Sequence, residues 1–123
     1  MLLDDDADVV DMTGGLLQNI GYTVFPFTDS RRAVALLLNQ TAQIDLVISD
    51  YSMPQLTGIQ LARILKDNRF KTPVILMTGL SEEITEEGLK ENGVVCCISK
   101  PFSSVQLVTA IEAILGPPPR KNR

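Results

Sequence analysis

Side chains that could act together in chemistry stand directly after four short apolar runs of the chain. Asp4 and Asp5 follow the first three residues, and Asp50 follows the run I-D-L-V-I-S. Thr78 follows P-V-I-L-M, and Lys100 follows V-V-C-C-I-S. Such runs are typical of buried strands, and the ligands of open parallel sheets collect at the carboxyl ends of the strands. We therefore expect three carboxylates, one hydroxyl and one ammonium group at one edge of a sheet.

This set of side chains suits phosphoryl transfer. Clustered carboxylates raise one another's pKa unless a positive charge lies between them. The oxygen ligands of Asp4, Asp5 and Asp50 suit Mg²⁺, which would keep Asp50 ionised and nucleophilic. Lys100 would reach a phosphoryl oxygen or, before phosphorylation, the Asp50 carboxylate, and Thr78 would donate its hydroxyl to another phosphoryl oxygen. The chain has no histidine, but phosphoryl transfer depends on positioning and charge stabilisation more than on acid–base catalysis.

The elements that must position these residues form five consecutive strand–helix units. Strands without polar alternation indicate burial on both faces, and right-handed crossovers leave few topologies. We therefore predict an α/β fold, a flavodoxin-like doubly wound five-stranded parallel sheet in the order 2-1-3-4-5 with five helices. The domain spans residues 1–115, and residues 116–123, with three consecutive prolines, form a linker or tail. The predicted strands are residues 1–3, 22–27, 44–49, 73–77 and 94–99, and the predicted helices are residues 9–20, 30–38 (capped by Asp29 or Ser30), 58–65, 82–91 (capped by Ser81) and 103–115.

Length, net charge, hydropathy and cysteine content limit the classes of protein to which this chain can belong. A chain of 123 residues is sufficient for one domain, and its net charge of −4 argues against direct binding of nucleic acid by this domain. No apolar run is long enough to span a bilayer and no signal segment is evident, so we expect no membrane insertion and a cytoplasmic location. Cys96 and Cys97 are adjacent, and strand neighbours point to opposite faces, so we expect two thiols with packing roles.

The motifs at these positions resemble those of response-regulator receiver domains of two-component signalling. The resemblance covers residues 1–115 and rests on four motifs in order: D-D at Asp4, D-Y-S-M-P-Q-L-T-G from Asp50, M-T-G around Thr78, and K-P-F from Lys100. Each motif alone is weak, whereas their common order and spacing are highly specific.

The resemblance implies that Asp50 accepts a phosphoryl group from a phosphohistidine of a histidine kinase or histidine phosphotransfer domain. It implies Mg²⁺ held by Asp5, by Asp50 and by the main-chain carbonyl of Ser52, with Asp4 acting through water. It also implies a cis peptide bond before Pro101. Apart from its own phosphorylation and dephosphorylation, such a domain is not an enzyme. The stretches G-Y-T-V-F-P-F-T-D-S and I-L-M-T-G-L-S-E are most similar to receivers of hybrid sensor histidine kinases.

Two features depart from the family pattern. Cys97 stands three residues before Lys100, where Tyr or Phe is usual, so the resemblance does not say how phosphorylation is relayed here. The first strand has only three residues before Asp4, which suggests a chain cut from a longer one or a start further upstream.

Three other functions stay open at this point. A receiver-like interaction module without phosphorylation is suggested by Cys97 and by the short first strand. An aspartyl-phosphate hydrolase is suggested by Asp4-x-Asp6, although no cap domain follows. A flavin-binding flavodoxin would require a loop rich in Ser, Thr and Gly after the first strand, where this chain has D-D-D-A-D.

Overall fold

A computed structural model describes residues 1–39, 43–79 and 85–117 of the chain. Five strands and five helices alternate along it, as predicted. The strands are β1 (Leu2–Leu3), β2 (Pro26–Phe27), β3 (Val47–Asp50), β4 (Val74–Thr78) and β5 (Val94–Ser99). The helices are α1 (Ala7–Ile20), α2 (Ser30–Asn39), α3 (Gly58–Asp67), α4 (Glu86–Glu91) and α5 (Ser104–Leu115).

All pairs of neighbouring strands are parallel, and the sheet has the order β2-β1-β3-β4-β5. This confirms the predicted α/β doubly wound fold. The register places the carboxyl ends of the strands at one edge: Asp50 pairs with Met77, and Thr78 pairs with Ser99. The prediction that the chemistry-bearing residues share one edge of the sheet depends on this alignment.

The sheet is buried on both faces because consecutive strand residues point to opposite sides. On one face, Val47 and Leu76 pack with residues of α2 and α3, and on the other, Ile48 and Ile75 pack with residues of α1 and α5. Every residue of β3 and β4 is buried. This two-sided burial explains why these strands read as apolar runs without alternation.

Several predicted elements differ from the observed ones. The third strand, predicted over residues 44–49, is Val47–Asp50. The strand predicted over residues 22–27 is reduced to Pro26–Phe27, because β1 begins only at Leu2 and offers no backbone opposite Tyr22–Val24. The predicted cap Ser81 lies outside the described residues, and within them the fourth helix begins at Glu86 with Thr85 as its N-cap.

Local sequence signals mark where α2 begins and where α5 begins and ends. Asp29, one of the two predicted caps of α2, accepts a hydrogen bond from the Arg31 N–H (2.9 Å). Ser103, predicted as the first residue of the fifth helix, is the N-cap of α5. The fifth helix ends at Leu115 with Gly116 as its C-cap. Most of residues 116–123 lies outside the described part of the chain, so the linker stays a prediction. Within the described ranges, no helix has the length and apolar character needed to cross a membrane.

Gly58 lies where the first turn of α3 touches the end of β3. A Cβ atom at this position would lie 2.6 Å from the Asp50 carbonyl oxygen and 2.6 Å from Leu76 Cδ2. We therefore expect Gly58→Ala to destabilise the protein by about 1–3 kcal/mol through overpacking. Thermal unfolding measures this as a lower Tm.

Gly15→Ala is the matched control, because no atom lies within 4 Å of a Cβ at this helical position. Alanine is favoured over glycine in a helix by up to about 1 kcal/mol, so this variant should have an unchanged or higher Tm. Equal effects of the two substitutions would contradict the close approach at Gly58.

Candidate phosphoacceptor site

The site lies where β1, β3, β4 and β5 end. Asp4 directly follows β1, Asp50 and Thr78 are the last residues of β3 and β4, and Lys100 directly follows β5. Asp4, Asp50 and Thr78 are all buried, although each is polar. Buried polar side chains need partners, so their convergence at one edge distinguishes this edge from the rest of the core.

Lys100 joins the two buried carboxylates. Its Nζ donates to Asp4 Oδ2 at 2.9 Å and to Asp50 Oδ1 at 3.1 Å. The pairing with Asp50 was anticipated from the sequence, whereas the pairing with Asp4 was not. The backbone fixes the position of the lysine, because the Lys100 N–H donates to the Thr78 carbonyl at 2.7 Å. The peptide bond between Lys100 and Pro101 is cis, as the resemblance implied.

The charges at the site are unbalanced towards the negative. Burial raises the pKa of Asp50, and the Asp4 and Asp5 carboxylates raise it further, while Lys100 lowers it only in part. Burial alone would lower the pKa of Lys100, but the hydrogen bonds and charges of Asp4 and Asp50 outweigh it and raise that pKa. The site therefore holds a firmly protonated lysine and a carboxylate whose ionised form is disfavoured, so it would gain from a further cation.

This imbalance predicts that removing the Asp50 charge stabilises the metal-free protein. The folded-state pKa of Asp50 is raised, so the folded protein binds a proton more readily than the unfolded chain and is penalised above the ordinary Asp pKa. In the presence of a metal chelator, the Asp50→Asn protein should have a higher Tm than the natural chain at pH 7. The difference between the two Tm values should shrink as the pH falls towards about 4. Lys100 would still be paired with Asp4.

Asp11→Asn serves as the control for this measurement, because Asp11 is exposed on α1. It should not reproduce the gain in Tm. An Asp50→Asn protein that is less stable than the natural chain at pH 7 would contradict the charge imbalance.

Asp5 completes a group of carboxylates able to hold a cation. One carboxylate oxygen from each of Asp4, Asp5 and Asp50 lies within 4.8 Å of the others. Asp4 and Asp50 are buried, but Asp5 is exposed, which leaves an approach from solvent. This donor set suits Mg²⁺, which takes one or two protein carboxylates and retains waters. The Asp4 carboxylate is already held by the Asp6 N–H (3.0 Å) and by Lys100, as suits a residue that would act through water.

Thr78 and Ser52 are the other two predicted site residues, and the structure gives their positions relative to Asp50. Thr78 is one residue beyond Met77, the partner of Asp50 across the β3–β4 ladder, so it lies at the same edge of the sheet. Ser52 is exposed and lies two residues after Asp50. It belongs to neither a helix nor a strand. Their roles towards phosphate and metal stay predictions.

The loop after Asp50 is tied down by contacts that the sequence did not reveal. The Tyr51 N–H donates to the Met77 carbonyl at 2.9 Å, and the Gly58 N–H donates to the Tyr51 carbonyl at 2.8 Å. Ser30, buried at the start of α2, has its hydroxyl 3.4 Å from the Pro54 carbonyl. The motif D-Y-S-M-P-Q-L-T-G signals the loop, but the contact with Ser30 spans 24 residues and has no local sequence signal.

Asp6 and the two adjacent cysteines have structural roles here. Asp6 is the N-cap of α1, where its carboxylate accepts a hydrogen bond from the Asp8 N–H at 3.0 Å. This position does not favour the acid–base role that a hydrolase would require. Cys96 and Cys97 are both half-buried, and neither forms a disulfide. Cys97 pairs with Leu76 and packs against the core on the α2–α3 side.

Comparison with known families gives one match over most of the chain. The family model described as "Response regulator receiver domain" matches residues 1–112. The chain is 31% identical over 117 residues to the phosphate regulon transcriptional regulatory protein PhoB of Pseudomonas aeruginosa, covering 94% of this chain and 50% of PhoB. It is 28% identical to the regulatory protein VanRc of Enterococcus gallinarum, covering 94% of this chain and 48% of VanRc. The chain thus spans about half the length of these curated relatives.

Solved structures agree with the family match. The receiver domain of the Francisella response regulator 1452 superimposes with a TM-score of 0.80 at 30% identity, covering 92% of both chains. The chemotaxis protein CheY4 of Vibrio cholerae superimposes with a TM-score of 0.79 at 28% identity, covering 93% of this chain and 95% of CheY4.

Proposed function

Because this chain belongs to the response regulator receiver domain family, we propose that Asp50 is its phosphoacceptor and that the donor is a phosphohistidine on a histidine kinase or histidine phosphotransfer domain. The observation that carries this assignment is the contact of Lys100 with both Asp4 and Asp50, beside the exposed carboxylate of Asp5. Of these carboxylates, Asp50 ends the central strand β3, where an incoming phosphoryl group can meet residues from both neighbouring strands.

The transfer requires little acid–base chemistry from the protein. A carboxylate oxygen of Asp50 forms a bond to phosphorus as the bond between phosphorus and the donor imidazole nitrogen breaks, and the imidazole keeps the electron pair. Lys100 Nζ already lies 3.1 Å from Asp50 Oδ1. Its ammonium can therefore stay paired with the negative charge as this charge moves from the carboxylate onto the phosphoryl oxygens. The Thr78 hydroxyl, on the adjacent strand, is the second donor that we assign to these oxygens.

The acidic cluster fits Mg²⁺, in accord with the general behaviour of the family. We assign Asp5, Asp50 and the Ser52 carbonyl as direct ligands, with Asp4 acting through water. When bound, the ion supplies positive charge that neutralises the carboxylates and the incoming phosphoryl group. The observed imbalance of three carboxylates against one lysine at this edge supports that need.

Incubation with a small phosphodonor and Mg²⁺, followed by intact-protein mass spectrometry, tests the proposal. The protein should gain the mass of one phosphoryl group, and the gain should be lost at alkaline pH, where acyl phosphates hydrolyse. Absence of any gain would instead favour a receiver-like interaction module. That alternative is motivated by Cys97, whose side chain is much smaller than the aromatic ring that the family usually places there.

We also propose how the domain produces an output. The relatives are regulators about twice the length of this chain, and the stretches that resemble hybrid kinase receivers point to a different architecture. In either setting, the domain would act by changing its contacts with protein partners when Asp50 gains negative charge.

A further inference from the structure

Two serine side chains are buried beside the phosphoacceptor site without belonging to it. Five polar residues are buried in the described part of the chain; three of them form the site, and the other two are Ser30 and Ser49. Buried hydroxyl groups need hydrogen-bond partners. Both serines reach main-chain carbonyls, one of Asp50 and one of the loop over residues 51–57 that joins β3 to α3.

Ser49 holds the beginning of this loop. It precedes the phosphoacceptor in β3, and its Oγ donates to the Asp50 carbonyl at 3.0 Å. The first turn of α3 closes over this carbonyl oxygen, because a Cβ atom at Gly58 would lie only 2.6 Å from it. Little room is therefore left for a water molecule to replace the serine hydroxyl. The Ser49 Oγ also lies 4.0 Å from the Met53 Sδ, so one buried side chain contacts the chain on both sides of Ser52.

Ser30 approaches the same loop from α2. Its hydroxyl lies 3.4 Å from the Pro54 carbonyl, which also accepts a hydrogen bond from the Leu56 N–H at 2.8 Å. The residue between them, Gln55, has a φ of 73°. A hydrogen bond across one residue of positive φ makes a tight, strained turn, and such turns persist only where the surrounding structure holds them. The contact with Ser30 is one of the interactions that can hold this turn.

We propose that Ser49 and Ser30 are positioning residues, which keep the loop ready for Mg²⁺ before the ion arrives. This inference rests on the proposed metal site, in which the Ser52 carbonyl is a ligand. Ser52 lies between the two carbonyls that the serines contact, and it belongs to neither a helix nor a strand. Only molecules whose loop has the binding conformation contribute to the affinity, so contacts that order the loop in advance strengthen metal binding. Neither serine is itself assigned as a ligand.

Three variants of the full chain test this inference by calorimetric titration of the metal-free proteins with MgCl₂. Ser49→Ala removes the hydroxyl, whereas Ser49→Cys fills the same space but donates only weakly. Ile111→Val removes one methyl group from a buried position of α5, so it lowers stability without altering the loop. Both Ser49 variants should bind Mg²⁺ about three- to tenfold more weakly than the natural chain, the effect of losing one hydrogen bond. Ile111→Val should bind it as the natural chain does.

Hydrogen exchange in the metal-free protein gives a second readout. The Leu56 and Gly58 amides donate hydrogen bonds within the loop, so they should exchange faster in Ser49→Ala and in Ser30→Ala, but not in Ile111→Val. Ser30→Ala should weaken Mg²⁺ binding less than Ser49→Ala does, because 3.4 Å is long for a hydrogen bond between a hydroxyl and a carbonyl.

A natural Mg²⁺ affinity in Ser49→Cys would assign the serine a packing role only and overturn the inference, as would a natural affinity in Ser49→Ala. The titration needs no phosphodonor, so the inference and the proposed function can fail separately. If the natural chain binds Mg²⁺ but gains no phosphoryl group, the assignment of Asp50 fails while the weaker binding of the Ser49 variants still supports their positioning role. A natural chain that binds no Mg²⁺ would overturn both the inference and the proposed metal site.

Discussion

Asp50→Asn protein is expected to gain no mass when it is treated with a small phosphodonor and Mg²⁺, under conditions in which the natural chain gains one phosphoryl group. The amide cannot act as the anionic nucleophile, whereas it keeps nearly the same volume in a buried position. Lys100 would retain its bond to Asp4, so the site should remain folded. The expected effect is complete loss of a covalent product, and intact-protein mass spectrometry measures it directly.

A matched control separates the acceptor from other carboxylates. Asp67 is exposed in an ion pair with Arg63, so Asp67→Asn changes the same net charge at a distance from the site and should be phosphorylated normally. A phosphoryl group on the Asp50→Asn protein would mean that another side chain is the acceptor. Peptide mapping after borohydride reduction would then identify that residue.

The sequence predicted the strand ends better than the strand lengths. Residues 94–99 were predicted as a strand and are one, because Asn92-Gly93 and Lys100-Pro101 are strong local signals on either side. The second strand was predicted over six residues and has two, because a strand exists only where a neighbour pairs with it. Local patterns cannot show that β1 begins only at Leu2 and offers no backbone opposite Tyr22–Val24.

In the candidate site, likewise, the sequence pattern predicts where the residues lie along the chain, whereas their side-chain contacts depend on packing. The positions of Asp4, Asp50, Thr78 and Lys100 directly after apolar runs were sufficient to place them at one edge. That Lys100 bridges two carboxylates depends on side-chain distances that no spacing encodes. The contact between Ser30 and Pro54 likewise required the fold.

We assign phosphoryl acceptance and its relay to partners to different parts of this chain. The groups assigned to acceptance lie at the carboxyl ends of β1, β3, β4 and β5. Cys97 lies within β5, where it packs beside Leu76 on the α2–α3 side of the sheet. A relay that turns an aromatic ring at this position is therefore not open to this protein, whereas Thr78 ends β4 at the edge of the site and pairs with Ser99 of β5.

Asp5→Asn is expected to weaken Mg²⁺ binding by at least about tenfold, because even residues that only support a metal ligand contribute 10–100-fold to affinity. Asp5 is the exposed member of the carboxylate group, so its replacement leaves the buried core intact. Titration of the metal-free protein with MgCl₂, followed by calorimetry or by the rise in Tm, measures the loss. Phosphorylation by the small donor should fall in parallel and recover in part at high Mg²⁺.

Asp6→Asn is the control for this variant, since it removes the next carboxylate along the chain. Asp6 caps α1, and asparagine is an equally good N-cap, so stability should change little. Mg²⁺ affinity should change far less than in Asp5→Asn, because Asp6 is not among the carboxylates that converge with Asp50. Equal losses in the two variants would show that Mg²⁺ responds only to the general negative charge of this loop. A loss confined to Asp5→Asn would instead assign a direct bond to the Asp5 carboxylate, and with it the metal side of the phosphoacceptor site.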